Sequence, residues 1–189
     1  MGEFRLETPR LVLRDWREDD WEEFFRFTNT PAVMRWLGGV ADEQGMEAGR
    51  ERIERYRREH GHTFWVVERK EDCGHLSGEL LGFCGLKRAN QKGGPIGDFE
   101  IGWRLREDAW GKGYALEAAR AAMASGFEHF GAPHMIALTV GGNAASWGLM
   151  LRLGMERRTD LDFECSDFDP VSGTIIAYSI TRRQWQATR

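Results

Sequence analysis

The sequence predicts a mixed α/β domain whose sheet is largely antiparallel, with one or two parallel neighbours among its strands. Short runs in which apolar and polar residues alternate recur along the chain and indicate strands. Segments with apolar residues every three or four positions lie between these runs and indicate helices. In chain order the elements are β-α-α-α-β-β-β-α-β-α-β-β, which is the pattern of a mixed α/β domain.

The first part of the chain is predicted to be one strand followed by three helices. Residues 10–16 alternate as a strand, and Asp19 or Asp20 can cap the aromatic-rich helix that follows. Residues 31–37 form a short second helix that a pair of glycines ends. Residues 42–60 form a third helix, whose many Arg and Glu residues indicate a solvated face with i,i+4 pairs.

Three strands are predicted next. Residues 63–69 and 80–87 form a hairpin around a polar loop, and residues 98–105 form the third strand after a glycine-rich segment. On this third strand, alternation places Phe99, Ile101, Trp103 and Leu105 on one face and Glu100, Gly102 and Arg104 on the other.

The remaining elements are a helix over residues 114–130, a strand over 135–140, a helix from Asn143 or Ala144 to Leu153, and strands over 155–164 and 174–181. Gly154 is expected to end the second of these helices at its C′ position. Residues 169–173 have turn-forming composition and separate the last two strands. Because the chain shows no internal repeat or low-complexity linker, residues 1–189 are expected to form a single domain.

Composition excludes several classes of function. The chain is 41% hydrophobic and 30% charged, as is typical of a soluble globular protein. Its net charge of −4, without a dense basic block, argues against nucleic acid as the main partner. No apolar stretch is long enough to cross a bilayer, so no membrane partner is expected, and the polar, acidic N-terminus does not resemble a secretion signal.

The cysteines and histidines do not predict a metal site. Cys73, Cys84 and Cys165 are odd in number and include no close pair, which argues against both a disulfide framework and a zinc site. The five histidines are scattered along the chain. A reducing, cytoplasmic location fits this cysteine usage best.

The most informative segment is WGKGYA, residues 110–115, which opens a predicted helix. Glycines at a helix N-terminus remove the Cβ atoms that would keep an anion away, and the free N–H groups and the helix dipole attract negative charge. We therefore expect a phosphate or pyrophosphate site here. Two glycines that merely start a helix are the alternative explanation of the same pattern.

Two other phosphate-binding loops are excluded. A Walker A loop requires Gly, four residues and then Gly-Lys-Ser/Thr, whereas Gly113 here follows Lys112 and Arg106 stands where the first glycine should be. A dinucleotide fingerprint requires a third glycine where this chain has Leu116.

Four segments together resemble the GNAT N-acetyltransferases, and within them the branch similar to the RimJ/RimL ribosomal-protein alanine acetyltransferases. The segments are ETPRLVLR at residues 7–14, FEIGW at 99–103, WGKGYALEA at 110–118, and NAAS at 143–146 with LGM at 153–155. Each segment alone is common, but all four in this order and spacing are specific, and they are spread over nearly the whole chain.

The resemblance implies a site for acetyl-coenzyme A, without a metal. In this family the cofactor binds where two central parallel strands splay apart between helices on both faces, here residues 98–105 and 135–140. The backbone of Trp103, Arg104 and Leu105 would bind the pantetheine amides. The N–H groups of Gly111, Lys112, Gly113, Tyr114 and Ala115 would bind the pyrophosphate. The Lys112 side chain would add charge near a phosphate or simply be solvated, and Asn143 would fix the cofactor arm, cap its helix, or do both.

The resemblance also implies catalytic roles. Glu100 is the candidate general base, acting through water, and the alternative is an ion pair between Glu100 and Arg104 on the same strand face. Many members of the family carry a tyrosine where this chain has Met150. A methionine side chain cannot donate a proton to the leaving thiolate. Ser146 would instead contact the departing sulfur, or it would only complete the start of its helix.

The acceptor amine is not identified by the sequence. Trp36 lies where the family admits its acceptor and, with Glu100, is a candidate for substrate contact. The expected acceptor is a small amine, an amino-acid derivative or a protein N-terminus, and family habit alone suggests a homodimer. Two other functions remain open: a non-catalytic acyl-CoA-binding or regulatory domain, and a nucleotide-phosphate enzyme that uses the same loop.

Overall fold

One sheet organises the described part of the chain, residues 3–165 and 173–187 of a computed structural model. Its strands are β1 (Arg5–Glu7), β2 (Leu11–Arg14), β3 (Phe64–Arg69), β4 (Leu80–Arg88), β5 (Phe99–Leu105), β6 (His134–Val140), β7 (Glu156–Arg157), β8 (Phe163–Glu164) and β9 (Thr174–Thr181). The helices are α1 (Asp20–Thr28), α2 (Pro31–Met34), α3 (Glu43–His60), α4 (Tyr114–Glu128), α5 (Ala144–Arg152) and α6 (Arg182–Ala187). No helix in these residues is long and apolar enough to cross a membrane.

The sheet is antiparallel except at its centre. The strand order is β1-β2-β3-β4-β5-β6-β9-β7, and β8 also pairs with β9. Among the described strands, β5 and β6 are the one parallel pair. This arrangement confirms the predicted mixed, mainly antiparallel sheet.

Helices cover both faces of the sheet. The larger core cluster joins α4, α5 and α6 to one face, where Ile101, Trp103 and Leu105 of β5 point. The smaller cluster joins α1 and α3 to the opposite face through Phe24, Ile53, Phe83 and their neighbours. Arg104 lies over Phe24 and Phe83, so the predicted division of β5 into two faces is confirmed.

Local sequence explains where several helices begin and end. The side chain of Asp42 accepts a hydrogen bond from the backbone N–H of Gly45 and caps α3, which Gly61 ends with a φ of +72°. Asp19 occupies the N-cap position of α1 without a side-chain bond. The neighbouring Asp20 instead accepts from the backbone N–H of Arg17 at 2.6 Å.

One predicted strand is wrong. Residues 155–164 do not form one strand but two short ones, β7 and β8, separated by a 3₁₀ turn over Thr159–Leu161. The carboxylate of Asp162 accepts hydrogen bonds from Arg157 at 2.7 Å and from the backbone N–H of Ala177 at 3.1 Å. These bonds give the backbone an alternative to the regular ladder and break the strand.

Smaller differences concern helix ends and short elements. The predicted helix over residues 31–37 ends at Met34, and the helix over 114–130 ends at Glu128. Both β1 and α6 were not predicted, because elements this short carry too little periodicity. The predicted turn at 169–173 lies outside the described residues except for Gly173.

Candidate active site

A gap opens between the two central strands. Within the described chain, β5 and β6 are joined at a single residue pair, Glu100 with Ile136, near the start of both strands. In contrast, β6 pairs with β9 along its whole length. The C-terminal halves of β5 and β6 therefore diverge, as the splay predicted for residues 98–105 and 135–140 requires.

The backbone of β5 is oriented to use this gap. Arg106 N donates to Leu81 O of β4 at 2.8 Å, and successive residues of a strand direct their backbone groups to opposite edges. Trp103 and Leu105 therefore direct backbone groups towards the gap, whereas the backbone of Arg104 faces β4. The indole N–H of Trp110 donates to the carbonyl oxygen of Leu105 at 2.9 Å, so this carbonyl already has a partner. The backbone N–H of Leu105 and the backbone N–H and C=O of Trp103 are the groups that a ligand in the gap would bind.

The glycine-rich segment before α4 has the conformation of an anion-binding loop. Gly111 and Gly113 have φ values of +70° and +81°, in the left-handed region that favours glycine. A Cβ added at Gly111 would meet no atom within 4 Å, so the loop is open on that side. Gly113 is the N-cap of α4, and no side chain of the described residues caps this end. The first-turn N–H groups, including those of Tyr114 and Ala115, are thus free to bind an anion.

The N-terminal segment holds this loop in place. Glu117, in the first turn of α4, accepts hydrogen bonds from Thr8 Oγ1 at 2.6 Å, from Arg10 N at 2.8 Å and from Arg10 Nε at 2.7 Å. Arg10 Nη1 donates to the carbonyl oxygen of Lys112 at 3.0 Å. Partial burial opposes the ionisation of Glu117, but the bonds from Thr8 and Arg10 lower its pKa overall.

The buried side chain of Tyr114 anchors the glycine loop to the rest of the fold. Its ring is buried and lies under the Arg10 guanidinium at 4.6 Å. Its hydroxyl accepts from Arg69 Nε at 3.2 Å and donates to the carbonyl oxygen of His75 at 3.1 Å. The side chain of Tyr114 is therefore structural, while its backbone N–H belongs to the candidate anion site.

Glu100 is buried at the point where the gap begins, on the face that α1 and α3 cover. Lys87 stands opposite Glu100 on β4, and its Nζ lies 2.9 Å from Glu100 Oε2. The alternative partner Arg104 is wrong, because the ion pair forms across strands rather than along β5. Burial raises the pKa of Glu100 above its ordinary value, and the charge of Lys87 opposes that rise.

Asn143 and Ser146 lie at the start of α5. The side-chain oxygen of Asn143 accepts from Ser146 N at 3.3 Å, so the capping role of Asn143 is confirmed. Ser146 Oγ has no hydrogen-bond partner within the described residues, which leaves it available to a ligand. Met150 is buried one turn later and offers no proton donor.

Trp36 packs against the loop between β6 and α5. A Cβ added at Gly142 would lie 2.7 Å from the Trp36 ring, so the indole packs directly against the residue before Asn143. The Arg35 guanidinium covers the Trp36 ring at 4.7 Å. Trp36 therefore packs against the segment that leads into α5, and its contact with an acceptor stays a prediction.

Sequence reasoning missed the roles of Thr8, Arg10, Glu117 and Lys87. The first three lie inside the sequence segments that resemble the GNAT family. Their presence in those segments was the one sign in the sequence that they have a role at the site. Lys87 gave no signal, because its pairing with Glu100 depends on strand register. Within residues 3–165 and 173–187, no group of three or more His, Cys, Asp or Glu residues is placed to hold a metal ion.

Several known proteins resemble this chain in sequence or in fold. Residues 10–156 match the family model described as an acetyltransferase (GNAT) domain. The uncharacterized N-acetyltransferase YnaD of Bacillus subtilis is 29% identical over 153 residues, which cover 80% of this chain and 82% of that protein. The FsC-acetyl coenzyme A-N(2)-transacetylase of Aspergillus fumigatus is 31% identical over 118 residues, which cover 59% of this chain and 50% of that protein. The crystal structure of an acetyltransferase from Agrobacterium tumefaciens has the same fold, with a TM-score of 0.79, 22% identity and 96% coverage of both chains.

Proposed function

The chain belongs to the GNAT acetyltransferase family, and from that premise we propose that it transfers the acetyl group of acetyl-CoA directly to a primary amine in a ternary complex. The observation that carries this proposal is the open glycine loop at the N-terminus of α4, next to the gap between β5 and β6. A pyrophosphate and an extended arm need these two features side by side.

The residues present fit the coenzyme. The N–H groups of residues 111–115 would bind the pyrophosphate, because the glycines leave them uncovered. The gap-facing backbone groups of Trp103 and Leu105 would bind the pantetheine amides in the manner of an added strand. When bound, the coenzyme supplies an acetyl thioester whose thiol is the leaving group.

Glu100 removes the proton that the acceptor amine must lose, acting through water. A lysine-like amine has a pKa of about 10.4 and a protein N-terminus about 7.7–8.0, so both carry a proton for much of the time at neutral pH. A general base contributes about 10²–10⁴-fold to the rate. Positioning the two reactants contributes more, because effective molarities reach roughly 10⁵–10⁸ M.

Ser146 orients the leaving thiol. Its hydroxyl has no partner among the described residues and lies one turn from Asn143, at the end of α5 that adjoins the gap. A serine hydroxyl is a poor acid, so we assign Ser146 the task of orienting the sulfur rather than protonating it. Asn143 serves the same end by holding the first turn of α5.

Protein N-termini, which the resemblance to the RimJ/RimL branch suggests, are one acceptor class within this proposal. Small amines and amino-acid derivatives are the others.

The test is a panel of polyamines, aminoglycosides, amino acids and peptides, incubated with acetyl-CoA and the purified protein. The expected result is that free thiol is released only when an amine is present, and that one of the amines gains the mass of an acetyl group. Tight coenzyme A binding without any amine-dependent thiol would favour a non-catalytic acyl-CoA-binding domain. Thermal protection by ATP rather than coenzyme A would favour a nucleotide-phosphate enzyme.

A further inference from the structure

The side chain of Arg104 is half-buried and lacks the carboxylate partner that such an arginine normally has. Its Nε is closed off from solvent and forms no hydrogen bond within the described residues. Its Nη1 contacts the sulfur of Met34 at 3.4 Å, and its guanidinium lies 5.1 Å from the ring centres of both Phe24 and Phe83. In the described residues no carboxylate forms an ion pair with Arg104. A half-buried cation with apolar neighbours is costly unless an anion compensates its charge.

A second cation increases the positive charge at this place. Burial lowers the pKa of Arg104, the charge of Arg52 on α3 adds to this effect, and together they bring the pKa to about 10. Arg104 nevertheless stays protonated at neutral pH. Arg52 also acts on Glu100, so its charge reaches both ends of this part of β5. Two arginines therefore add positive charge beside the rings of Phe24 and Phe83.

This face of β5 lies where an acceptor would reach the gap. Arg104 and Glu100 are on the same face of β5, four residues apart, so their Cα atoms are separated by roughly 13 Å. Phe64 and Phe83 stack at 4.7 Å and form the floor of the face, and Phe64 fills the space above Gly102. Phe64 therefore lies between the two side chains, and an acceptor that reaches both would extend over its ring.

We infer that the acceptor is a small amine that carries a carboxylate, as an amino acid does, and that Arg104 binds this carboxylate with the charge of Arg52 adding to the attraction. This inference rests on the proposed function and narrows it. A carboxylate matches the planar guanidinium fork and can accept two parallel N–H···O bonds. The rings of Phe24 and Phe83 would exclude water from that pair and strengthen it.

The first test uses the unaltered protein and needs no variant. Amino acids are compared with their own amides and with the amines that lack the carboxyl group, using acetyl-CoA and thiol release. The expected result is that kcat/KM for at least one amino acid exceeds that for its amide and amine on the order of 10- to 100-fold, as a lost charged hydrogen bond implies.

The second test asks whether Arg104 is the cause of this preference. Arg104→Met should raise KM for the carboxylate acceptor by about 10-fold or more and leave the amide almost unaffected. Arg104→Lys should restore part of the preference, because it retains the charge without the fork. Arg55→Met removes an exposed arginine from the same helix as Arg52 and should not change the preference. Coenzyme A affinity and thermal unfolding of each variant establish that it is folded.

The outcomes separate this inference from the proposed function. Acetylation of amides or carboxylate-free amines as efficiently as of amino acids overturns the inference and leaves the transferase intact. A preference for phosphoethanolamine over every amino acid, or equal losses for acid and amide in Arg104→Met, overturns it as well. A protein that binds no coenzyme A overturns the proposed function itself.

Discussion

At the scale of single residues, the ion pair between Glu100 and Lys87 determines how the proposed base behaves. Burial raises the pKa of Glu100, and the nearby ammonium group of Lys87 limits the rise. The carboxylate must be ionised to accept a proton from the amine. Lys87, whose Nζ lies 2.9 Å from Glu100 Oε2, therefore extends to lower pH the range in which Glu100 can act as a base.

Replacing Glu100 with Gln should reduce turnover on the order of 10²-fold near pH 6.5 and much less near pH 9.5. At high pH the acceptor has already lost its proton and no longer needs a base. The measurement is kcat as a function of pH for both proteins. An equal loss at every pH, with unchanged folding, would remove Glu100 as the base.

Lys87→Met is the matched control, because it breaks the same ion pair and retains the carboxylate. Both substitutions should lower the free energy of unfolding by on the order of 3 kcal/mol, since each leaves a buried group without its partner. In Lys87→Met the pKa of Glu100 should rise further, which moves the acid limb of the rate profile to higher pH. Identical rate profiles for the two variants would show that the pair is only structural.

His62 should make the fold sensitive to acid. Burial lowers the pKa of His62 to about 4, against the opposing hydrogen bond from its ring to Leu86 O. In the unfolded chain His62 has its ordinary pKa near 6.5, so between pH 6.5 and 4 the unfolded chain binds more protons than the folded protein. The free energy of unfolding therefore decreases as the pH is lowered through this range. Between pH 7 and pH 5 this effect amounts to about 2 kcal/mol.

Urea unfolding at pH 7 and pH 5 tests that value. His62→Gln should lose about 2 kcal/mol less than the unaltered protein over this interval. His129→Gln, the same substitution at an exposed position, should behave as the unaltered protein does. An unchanged pH dependence in His62→Gln would mean that other groups cause the acid sensitivity.

At the scale of elements, two segments far apart in sequence form one cofactor platform. The N-terminal residues Thr8 and Arg10 bind Glu117 and the Lys112 carbonyl, which fixes the glycine loop relative to α4. Rigid placement of the N–H groups is what anion binding requires, since ordering a loose loop would reduce affinity.

Gly113→Ala should weaken coenzyme A binding by about 10-fold or more, because a Cβ there disfavours the left-handed backbone that directs the N–H groups. The strain itself should cost about 1–2 kcal/mol of stability. Gly131→Ala is the control, since Gly131 has a φ of +70° with open space around it and lies outside the loop. Calorimetric titration should show weaker binding in the first variant and unchanged binding in the second; equal affinities would contradict a role for the loop.

Arg10→Met should also weaken coenzyme A binding, by several-fold, while the loss of its bonds to Glu117 costs about 1–3 kcal/mol of stability. Arg5→Met removes a nearby exposed arginine that forms an ion pair with Glu7 and should change neither property. Titration and thermal unfolding of the two variants supply the comparison. If Arg10→Met is destabilised but binds coenzyme A normally, the N-terminal segment supports the fold and not the site.

At the scale of the whole molecule, periodicity in the sequence was sufficient to predict helices α1 to α5 and the two faces of β5, but not the short helix α6. It could not predict the partner of Glu100, because Lys87 meets it only through the register of β4 against β5. It could not predict the break at Asp162 either, since that break depends on a bond to Ala177 on another strand. Contacts across 100 residues or more, such as that between Arg10 and Glu117, are set by tertiary packing and leave no local pattern.

The central claim is that coenzyme A binds across the glycine loop and the gap beside β5. Titration of ¹⁵N-labelled protein with coenzyme A, followed by the chemical shifts of its backbone amides, tests this claim most directly. The expected result is that the largest shifts fall on residues 111–115 and on Trp103 and Leu105. Saturable binding that leaves these amides unmoved and shifts others instead would contradict it.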